Sequence, residues 1–537
     1  MFRLQSCVQA LLIACTSTLV ACGGDGGDGE PETGPGPIPS AMVLISECPK
    51  LAEKAMPGVA ITVAESVPAG NFTTPEGFTI ADVPAFCRVA ATLKPSADSN
   101  IRVEVWLPIE NWNRRFLGLG NGGFAGTLNP IALAQGLQRG FAVAHTDMGT
   151  SPNVAEGLVG RPERVIDWGW RSTHEMTLFS KSMTRALYAQ APSKSYFMGC
   201  STGGGQGLHE AQRFPDDYDG IAVGAPANER VATHASILWN WMAVQASQAP
   251  ALSGAKRTLW RDAVIKACDA DDGVTDGLLG QPDKCAWTPR LQQCAGADGP
   301  DCFTAEEATA IEKIYEGPKD TRTGARIFAG LSKGTEENTS VYAFFPTFPV
   351  FGELFQIVFG TDWDWRGFDF GVDFQASQAA IGSTVNADVP DLRAFKSRGG
   401  KMIMYTGWAD QFIAPKQTID YFKRIDSASN ASTFARLFVA PGMAHCGGGS
   451  APNYFGQDVG TAPFAGDASR DLLTALMQWS EGGAAPNTLV ATQYSDGNAS
   501  TGSIVRTRPL CAFPKVARYL GAGSTDVAEN FSCADPD

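Results

Sequence analysis

The fold is decided by the stretch SYFMGCSTGGGQGLHEAQRFPDDYDGIAVGAP at residues 195–226. It opens on a short apolar run, 195–198, of the kind that forms a buried strand. A glycine-rich turn follows, after which residues 204–213 are predicted to form a helix and 218–223 a second strand. Strand, helix and strand in immediate succession predict a parallel sheet with crossover helices.

The glycine-rich turn carries Gly199-Cys200-Ser201-Thr202-Gly203, which fits the pattern G-x-S-x-G. Between a strand and a helix, this pattern is typical of the nucleophile of α/β-hydrolases, although without that context it often occurs by chance. The sharp turn lifts the Ser201 hydroxyl clear of the sheet. The N–H of Thr202, at the helix start, is predicted to point at a developing oxyanion.

A serine nucleophile needs a base, and the base needs a carboxylate to orient it. The chain has five histidines: His145, His174, His209, His234 and His445. His445 lies in a loop just beyond a late predicted strand, where this fold carries its base, whereas His174 is predicted to face solvent and the other three to be structural. Asp410 lies in the loop beyond the preceding strand, and Ser…Asp…His is the order of α/β-hydrolases. We therefore predict Ser201, Asp410 and His445 as the catalytic triad.

On either side of the central stretch, the sequence continues to alternate between predicted strands and helices. Further strands are predicted at 103–107, 115–119, 140–145, 401–405 and 435–440, and a helix over 172–190. No such alternation is predicted between residues 228 and 388. This segment of about 160 residues contains four cysteines, an acidic loop and many aromatic residues. We predict an α/β-hydrolase fold, divided into parts 41–227 and 389–537 by a large inserted lid domain, 228–388.

The N-terminus has the pattern of an export signal. An apolar run from residue 8 to residue 20 follows Arg3, and it is too short to span a bilayer. The run ends in Leu19-Val20-Ala21-Cys22, which resembles a bacterial lipobox. We predict a signal peptide at 1–21 and a lipid on Cys22, with ordinary secretion as the alternative. Gly, Pro and acidic residues make 22–40 a predicted flexible tether. The expected location is periplasmic or at the cell surface, with contact to the membrane only through the lipid.

The net charge of −14 argues against a nucleic-acid partner, because binding phosphates requires a basic surface. Of the 13 cysteines, three lie at or before Cys22, which leaves ten in an exported and therefore oxidising setting. Five disulfides are expected, although counting alone leaves their connectivity open. Local spacing suggests four pairs: Cys48–Cys87, Cys268–Cys285, Cys294–Cys302 and Cys511–Cys533.

Elimination then pairs Cys200 with Cys446. These cysteines directly precede Ser201 and directly follow His445. A bond between them would hold their Cα atoms about 5.5 Å apart and bring nucleophile and base together. The alternative is that this bond only stabilises an exported protein.

The chain resembles the tannase and feruloyl esterase family of α/β-hydrolases, which includes the hydrolase of mono-hydroxyethyl terephthalate. The family pairs a Cys-Ser with a His-Cys, found here as Cys200-Ser201 and His445-Cys446. Residues 213–226 and 506–511 also resemble it. The resemblance implies the same five disulfides and a second oxyanion donor in the loop Gly120-Asn121-Gly122-Gly123, where we favour Gly123 over Gly122.

The lid contains an acidic loop, CDADDGVTDGL at residues 268–278. Crowded carboxylates repel one another unless a hard cation neutralises them, but the spacing is not that of an EF-hand. From physics alone the loop is either a cation site or an ordinary solvated loop. The family resemblance implies structural calcium. The ligands carried over are the side chains of Asp269, Asp272 and Asp276 and the carbonyls of Val274 and Leu278.

Aromatic residues crowd the lid between Tyr342 and Phe374, and two or three of them are expected to face the substrate. Such a lid suits a flat aromatic acyl group. Arg366 is interpreted either as a contact for a substrate carboxylate or phenol or as a surface charge. We predict a serine carboxylesterase for small aromatic esters: feruloyl-type first, gallate second, and mono-alkyl terephthalates or phthalates third. The hypothesis from another class is an inactive, calcium-stabilised surface binding protein.

Overall fold

The computed structural model describes residues 36–245, 252–343, 347–458, 464 and 466–536. The predicted signal peptide, Cys22 and most of the tether lie outside the described residues. Residues Pro39–Asp537 form one compact unit. Within the described ranges, no helix is both long and apolar enough to cross a bilayer.

Fifteen strands are present in the described part of the chain. They are β1 Val59–Val67, β2 Gly70–Thr73, β3 Thr79–Val83, β4 Phe86–Leu93, β5 Ile101–Pro108, β6 Arg115–Leu119, β7 Ala142–Thr146, β8 Lys194–Cys200, β9 Gly220–Gly224, β10 Lys401–Gly407, β11 Ala435–Ala440, β12 Thr488–Tyr494, β13 Ile504–Cys511, β14 Val516–Tyr519 and β15 Phe531–Ala534.

The α-helices are α1 Ala41–Glu47, α2 Pro130–Gln138, α3 Val154–Leu158, α4 Pro162–Ile166, α5 Ser172–Tyr188, α6 Thr202–Arg213, α7 Arg230–Gln245, α8 Gly254–Cys268, α9 Ala305–Glu316, α10 Glu353–Phe359, α11 Val372–Ser377, α12 Ser383–Val385, α13 Arg393–Ser397, α14 Pro415–Ser429 and α15 Leu472–Ser480. Short 3-10 turns occur at Cys48–Glu53, Asp269–Asp272, Pro282–Lys284, Pro289–Gln292, Glu337–Ala343, Trp365–Gly367, Ala431–Thr433 and Ala528–Asn530. Single π-helical turns occur at Asp167–Arg171 and Gln378–Gly382.

Nine strands form the main sheet, in the order β1-β4-β5-β7-β6-β8-β9-β10-β11. The pairs from β1 to β7 are antiparallel, and every pair from β7 to β11 is parallel. The predicted parallel sheet with crossover helices is confirmed, and β8 lies inside it between β6 and β9. The fold is α/β, as expected for an α/β-hydrolase.

Both faces of the sheet are covered, because neighbouring residues along a strand point to opposite faces. On β8, Tyr196 and Met198 belong to a buried cluster with residues of α2 and α15. Phe197 points the other way, toward α6, where Gly207 comes so close that a Cβ would lie 3.0 Å from the Phe197 ring. Burial on both faces explains why β8 and β9 are almost continuously apolar.

The chain leaves the main sheet after β9 and returns at β10, its neighbour in the sheet. In the described residues between them it forms α7 to α13 and adds no strand to the main sheet. The core of this segment includes Trp241, Trp260 and Ile311. The same cluster contains Phe124 and Trp168 from the first part of the chain, so the inserted segment packs directly on the sheet-bearing part. The exact lid boundaries, 228 and 388, stay a prediction.

The structure contains the five expected disulfides: Cys48–Cys87, Cys200–Cys446, Cys268–Cys285, Cys294–Cys302 and Cys511–Cys533. Four of them join cysteines no more than 39 residues apart. Cys200–Cys446 spans 246 residues and therefore connects the end of β8 to the loop after β11.

Candidate active site

Ser201 occupies the turn between β8 and α6, with φ +62° and ψ −119°. Non-glycine residues rarely adopt a positive φ, and such strain persists only where the surroundings enforce it. Here the Ser201 N–H donates to the Gly224 carbonyl (2.9 Å), and the Ser201 carbonyl accepts from the N–H groups of Gly205 (3.1 Å) and Ala227 (3.0 Å). Three backbone hydrogen bonds thus hold the serine at the carboxyl end of the sheet.

The glycines beside Ser201 are required by close backbone approach. A Cβ on Gly199 would lie 2.7 Å from the carbonyl atoms of Gly203, closer than real Cβ contacts. A Cβ on Gly203 would lie 3.0 Å from the Asn121 carbonyl oxygen. The turn can be this tight only because neither residue has a side chain.

Asp410 and His445 form a hydrogen-bonded pair, with 2.8 Å between Asp410 Oδ2 and His445 Nδ1. Asp410 is fully buried, and its Oδ1 accepts from the backbone N–H groups of Phe412 (2.8 Å) and Ile413 (2.9 Å). Both carboxylate oxygens are therefore engaged, which fixes the orientation of the group. An ionised carboxylate on Nδ1 keeps the proton on that nitrogen and leaves Nε2 free to act as a base.

The disulfide brings this pair to the serine. The Cα atoms of Cys200 and Cys446 are 5.9 Å apart, and each cysteine directly adjoins a predicted triad member. Ser201 and His445 consequently line one cavity. Cys446 has a positive φ of +64°, and Ser201, which directly follows Cys200, has one of +62°. Each end of the disulfide therefore lies at or beside a residue with a positive φ.

The loop after β6 packs against the first turn of α6. The Gly123 carbonyl accepts hydrogen bonds from Thr202 Oγ1 (2.5 Å) and Arg230 Nη2 (3.1 Å). The Asn121 carbonyl accepts from the Gly203 N–H (2.7 Å). Gly123 and Thr202, the two predicted oxyanion donors, both line the cavity with Ser201, whereas Gly122 is not among the residues that line it.

The cavity is narrow and mainly apolar. It is lined by Gly123, Ser201, Thr202, Ala227, Thr233, His234, Ile237, Phe351, Phe412, Ile413 and His445. The Phe412 ring lies edge-on to both the Phe351 ring (5.5 Å) and the His445 ring (5.2 Å). Among the described residues that line this cavity there is no lysine or arginine. Its walls therefore suit an uncharged aromatic group.

Sequence reasoning did not predict six of these residues for the site: Ala227, Thr233, His234, Ile237, Phe412 and Ile413. Phe412 and Ile413 follow Asp410 by two and three positions, so their closeness to the site was available from the chain order. His234, predicted to be structural, lies on α7 and reaches the cavity only because the inserted segment folds back over Ser201. No local sequence signal indicated that placement.

The other candidates lie elsewhere. The prediction that His174 faces solvent is wrong: the residue is partly buried, its Nδ1 is 2.7 Å from Asp217 Oδ2, and its ring stacks on Phe214. His145 and His209 are buried outside the cavity lining. Arg366 is mostly exposed and pairs with Asp364, which agrees with a surface charge.

Of the aromatic residues in the lid, Phe355, Phe368, Phe370 and Phe374 are core residues. Phe351 is the member of that stretch that lines the cavity in the described chain. Phe344 and Phe345 lie outside the described residues.

The acidic loop gathers oxygen donors between Cys268 and Cys285. Asp269 accepts from the backbone of Gly277 (3.0 Å), and Asp272 accepts from Gly280 (2.7 Å). The side chain of Asp276 is buried and forms an ion pair with Arg508. Burial raises the pKa of Asp272 to about 6, and the nearby charges of Asp276 and Asp269 add to the effect. The donors are hard oxygens, and of the three carboxylates only Asp276 has an ion pair with an arginine among the described residues, so the group fits calcium in ligand type and charge.

A sequence model of the family described as tannase and feruloyl esterase matches residues 87–348 and 368–534. An uncharacterised esterase of Xanthomonas campestris pv. campestris is 34% identical over 525 residues, which cover 91% of each chain. Feruloyl esterase B of Aspergillus niger is 31% identical over 465 residues, 83% of this chain and 86% of that protein.

Solved structures agree. The crystal structure of feruloyl esterase B from Aspergillus oryzae has a TM-score of 0.85 at 27% identity and covers 91% of this chain and 100% of that one. Tannin acyl hydrolase from Aspergillus niger has a TM-score of 0.72 at 22% identity over 93% of this chain and 95% of that one, a likeness of fold. The chain belongs to the tannase and feruloyl esterase family of carboxylic ester hydrolases.

Proposed function

We propose that Ser201, His445 and Asp410 are the catalytic triad of this esterase. The observation that carries the proposal is the Asp410–His445 hydrogen bond, joined to the strained Ser201 turn by the Cys200–Cys446 bond. His445 Nε2 removes the Ser201 proton as Oγ attacks the ester carbonyl, and Asp410 stabilises the imidazolium that forms. Collapse of the tetrahedral intermediate releases the alcohol, which takes the proton from His445, and water then hydrolyses the acyl-enzyme.

The negative oxygen of the tetrahedral intermediate is assigned to the backbone N–H groups of Thr202 and Gly123. Thr202 begins α6, where backbone N–H groups and the helix dipole favour negative charge. The two hydrogen bonds to the Gly123 carbonyl hold its loop in place before substrate binds. Donors fixed in advance cost no reorganisation during the reaction, which is how such a site lowers the barrier.

The favoured substrate is an ester of an uncharged hydroxycinnamic acid, of the feruloyl type. Phe351 and Phe412 offer ring contacts on the cavity wall. Several relatives are named feruloyl esterase. Gallate esters rank second. Mono-alkyl terephthalates rank third, because their free carboxylate would enter an apolar cavity whose described lining contains no cation.

We also propose calcium on the acidic loop, held by the side chains of Asp269, Asp272 and Asp276 and the carbonyls of Val274 and Leu278. The ion would offset the burial, and the smaller repulsion from Asp276 and Asp269, that raise the pKa of Asp272. With Cys268–Cys285 closing the loop, its role would be structural.

We also propose that the protein is exported, because residues 1–21 resemble a signal peptide, and that Cys22 carries a lipid. Five disulfides support an oxidising compartment, because reducing cytosol keeps thiols free.

Replacing the nucleophile tests the triad. We expect Ser201→Ala to lower kcat for p-nitrophenyl acetate by about 10⁴-fold or more. Without the nucleophile, only the oxyanion donors and substrate binding can still accelerate the reaction, and they account for a small part of the rate. Ser193→Ala, an exposed serine just before β8, should leave kcat unchanged. Equal activity of Ser201→Ala and wild type, measured on purified protein, would exclude Ser201 as nucleophile.

Removing the long-range disulfide tests its positioning role. Cys200→Ala with Cys446→Ala should lower kcat by about 100-fold, because a misplacement of about 1 Å is enough for such a loss. Thermal unfolding must show that the protein is still folded at the assay temperature. The matched control is Cys294→Ala with Cys302→Ala, which also removes one disulfide but leaves the site intact. Folded double variants with the same kcat would contradict the positioning role.

Chelation tests the calcium. A ligand at 100–1,000 times its Kd adds about 3–4 kcal/mol of stability. For about 500 ordered residues this corresponds to a loss in Tm of about 3–4 °C on EGTA treatment. Calcium should restore Tm in wild type and in Asp271→Asn, an exposed non-ligand, but not in Asp272→Asn. An unchanged Tm after EGTA treatment would count against the ion.

A substrate panel tests the acyl class. We expect kcat/KM to fall in the order methyl ferulate, methyl gallate, mono-hydroxyethyl terephthalate, because the last brings an uncompensated carboxylate into the cavity. The assay is product formation by liquid chromatography at matched enzyme concentrations. Preference for the terephthalate monoester would reverse the proposed ranking.

A further inference from the structure

His234 is a cavity residue for which the proposed triad chemistry has no use. It lies on α7 and lines the cavity together with Ser201 and His445. Its ring borders the rings of Phe124 (5.2 Å) and Phe351 (6.0 Å), and it is almost completely buried. A polar group between aromatic rings in a mainly apolar cavity is the kind that sets ligand orientation and specificity.

The tautomer of His234 follows from the hydrogen bond between its ring and the backbone of Phe351. Nδ1 is 2.9 Å from the Phe351 carbonyl oxygen. A carbonyl only accepts, so Nδ1 must carry the proton and donate. In a neutral imidazole the other nitrogen, Nε2, then has a free lone pair and is an acceptor.

The surroundings keep the ring neutral. Burial, reinforced by the adjacent charge of Arg230, lowers the pKa of His234 to about 3. Arg230 lies against the faces of Trp168 (4.1 Å) and Phe124 (5.8 Å), so it is held in place beside the histidine. A neutral His234 does not attract a substrate carboxylate as a cation would.

Among the described residues, no donor forms a hydrogen bond with His234 Nε2. Nor does Nε2 belong to the side-chain atoms of those residues that are both sealed from solvent and without a partner. Since the residue is buried except where it lines the cavity, the free acceptor is open to whatever occupies the cavity.

We propose that His234 Nε2 accepts a hydrogen bond from a hydroxyl group on the substrate's aromatic ring and thereby selects phenolic over non-phenolic acyl groups. This inference rests on the proposed esterase function and names a specificity residue within it. The three features act together: Phe351 sets the tautomer through its carbonyl, Arg230 disfavours the imidazolium, and the apolar wall removes competing water. A ring without a hydroxyl leaves the acceptor unpaired in a dry site, which penalises that substrate.

The test compares methyl ferulate with methyl 3-methoxycinnamate, which differs only by the missing hydroxyl. In wild type the ratio of their kcat/KM values should be about 10 or more. His234→Leu should bring the ratio to about 1. His234→Gln should retain part of it, because its amide can donate to the Phe351 carbonyl while its oxygen accepts. His174→Gln, a histidine outside the cavity, should keep the wild-type ratio.

A wild-type ratio near 1, or a ratio that survives in His234→Leu, would overturn the inference while leaving the esterase assignment intact. Cleavage of p-nitrophenyl acetate but of neither cinnamate would instead overturn the proposed acyl class and this inference with it. The ratio is taken within each variant, so partial unfolding cancels. If both His234 variants are inactive, calorimetry on Ser201→Ala decides: methyl ferulate must bind about 10-fold more tightly than methyl 3-methoxycinnamate, and equal Kd values would refute the role.

Discussion

The covalent bond between Cys200 and Cys446 is the constraint on which the site depends. Ser201 belongs to the β8–α6 turn and His445 to a loop 244 positions later, with the whole inserted segment between them. The bond fixes the two backbones beside these residues with 5.9 Å between the cysteine Cα atoms. The Asp410 carboxylate, anchored by two backbone N–H groups, then sets the imidazole's direction. A covalent and a polar restraint together define the geometry that the proposed chemistry needs.

The local sequence was sufficient for the centre of the fold. G-x-S-x-G between an apolar run and a helical pattern predicted the parallel β8 and β9 and the turn at Ser201. The helix begins at Thr202 rather than at Gly204, although three consecutive glycines are poor helix formers. Packing explains the difference: a Cβ on Gly204 would lie 2.5 Å from the Gly224 carbonyl, so glycine is what allows α6 to approach β9. Tertiary contact outweighs propensity at this position.

The lining of the cavity was less accessible from sequence. The closeness of Ser201, Asp410 and His445 was predictable, because each follows a strand and strand ends of a parallel sheet meet at one edge. His234 and Phe351 belong to the inserted segment, whose path over the sheet depends on packing of Trp241, Trp260 and their neighbours. The sequence shows which residues of the insertion are apolar, but not which of their side chains point toward Ser201.

The insertion leaves the sheet at β9 and rejoins it at β10, which are adjacent and parallel. Because the strands are parallel, the insertion departs from the carboxyl end of β9, at Gly224, and returns to the amino end of β10, at Lys401, whose register partner is Gly220. A segment that joins two neighbouring strands and adds no strand of its own to the main sheet can be exchanged or reshaped without altering the strand ladder beneath it. Of the residues that line the cavity, His234 and Phe351 belong to the insertion and Ser201 and His445 to the sheet-bearing part, so the cavity wall can change without moving the residues that are proposed to react.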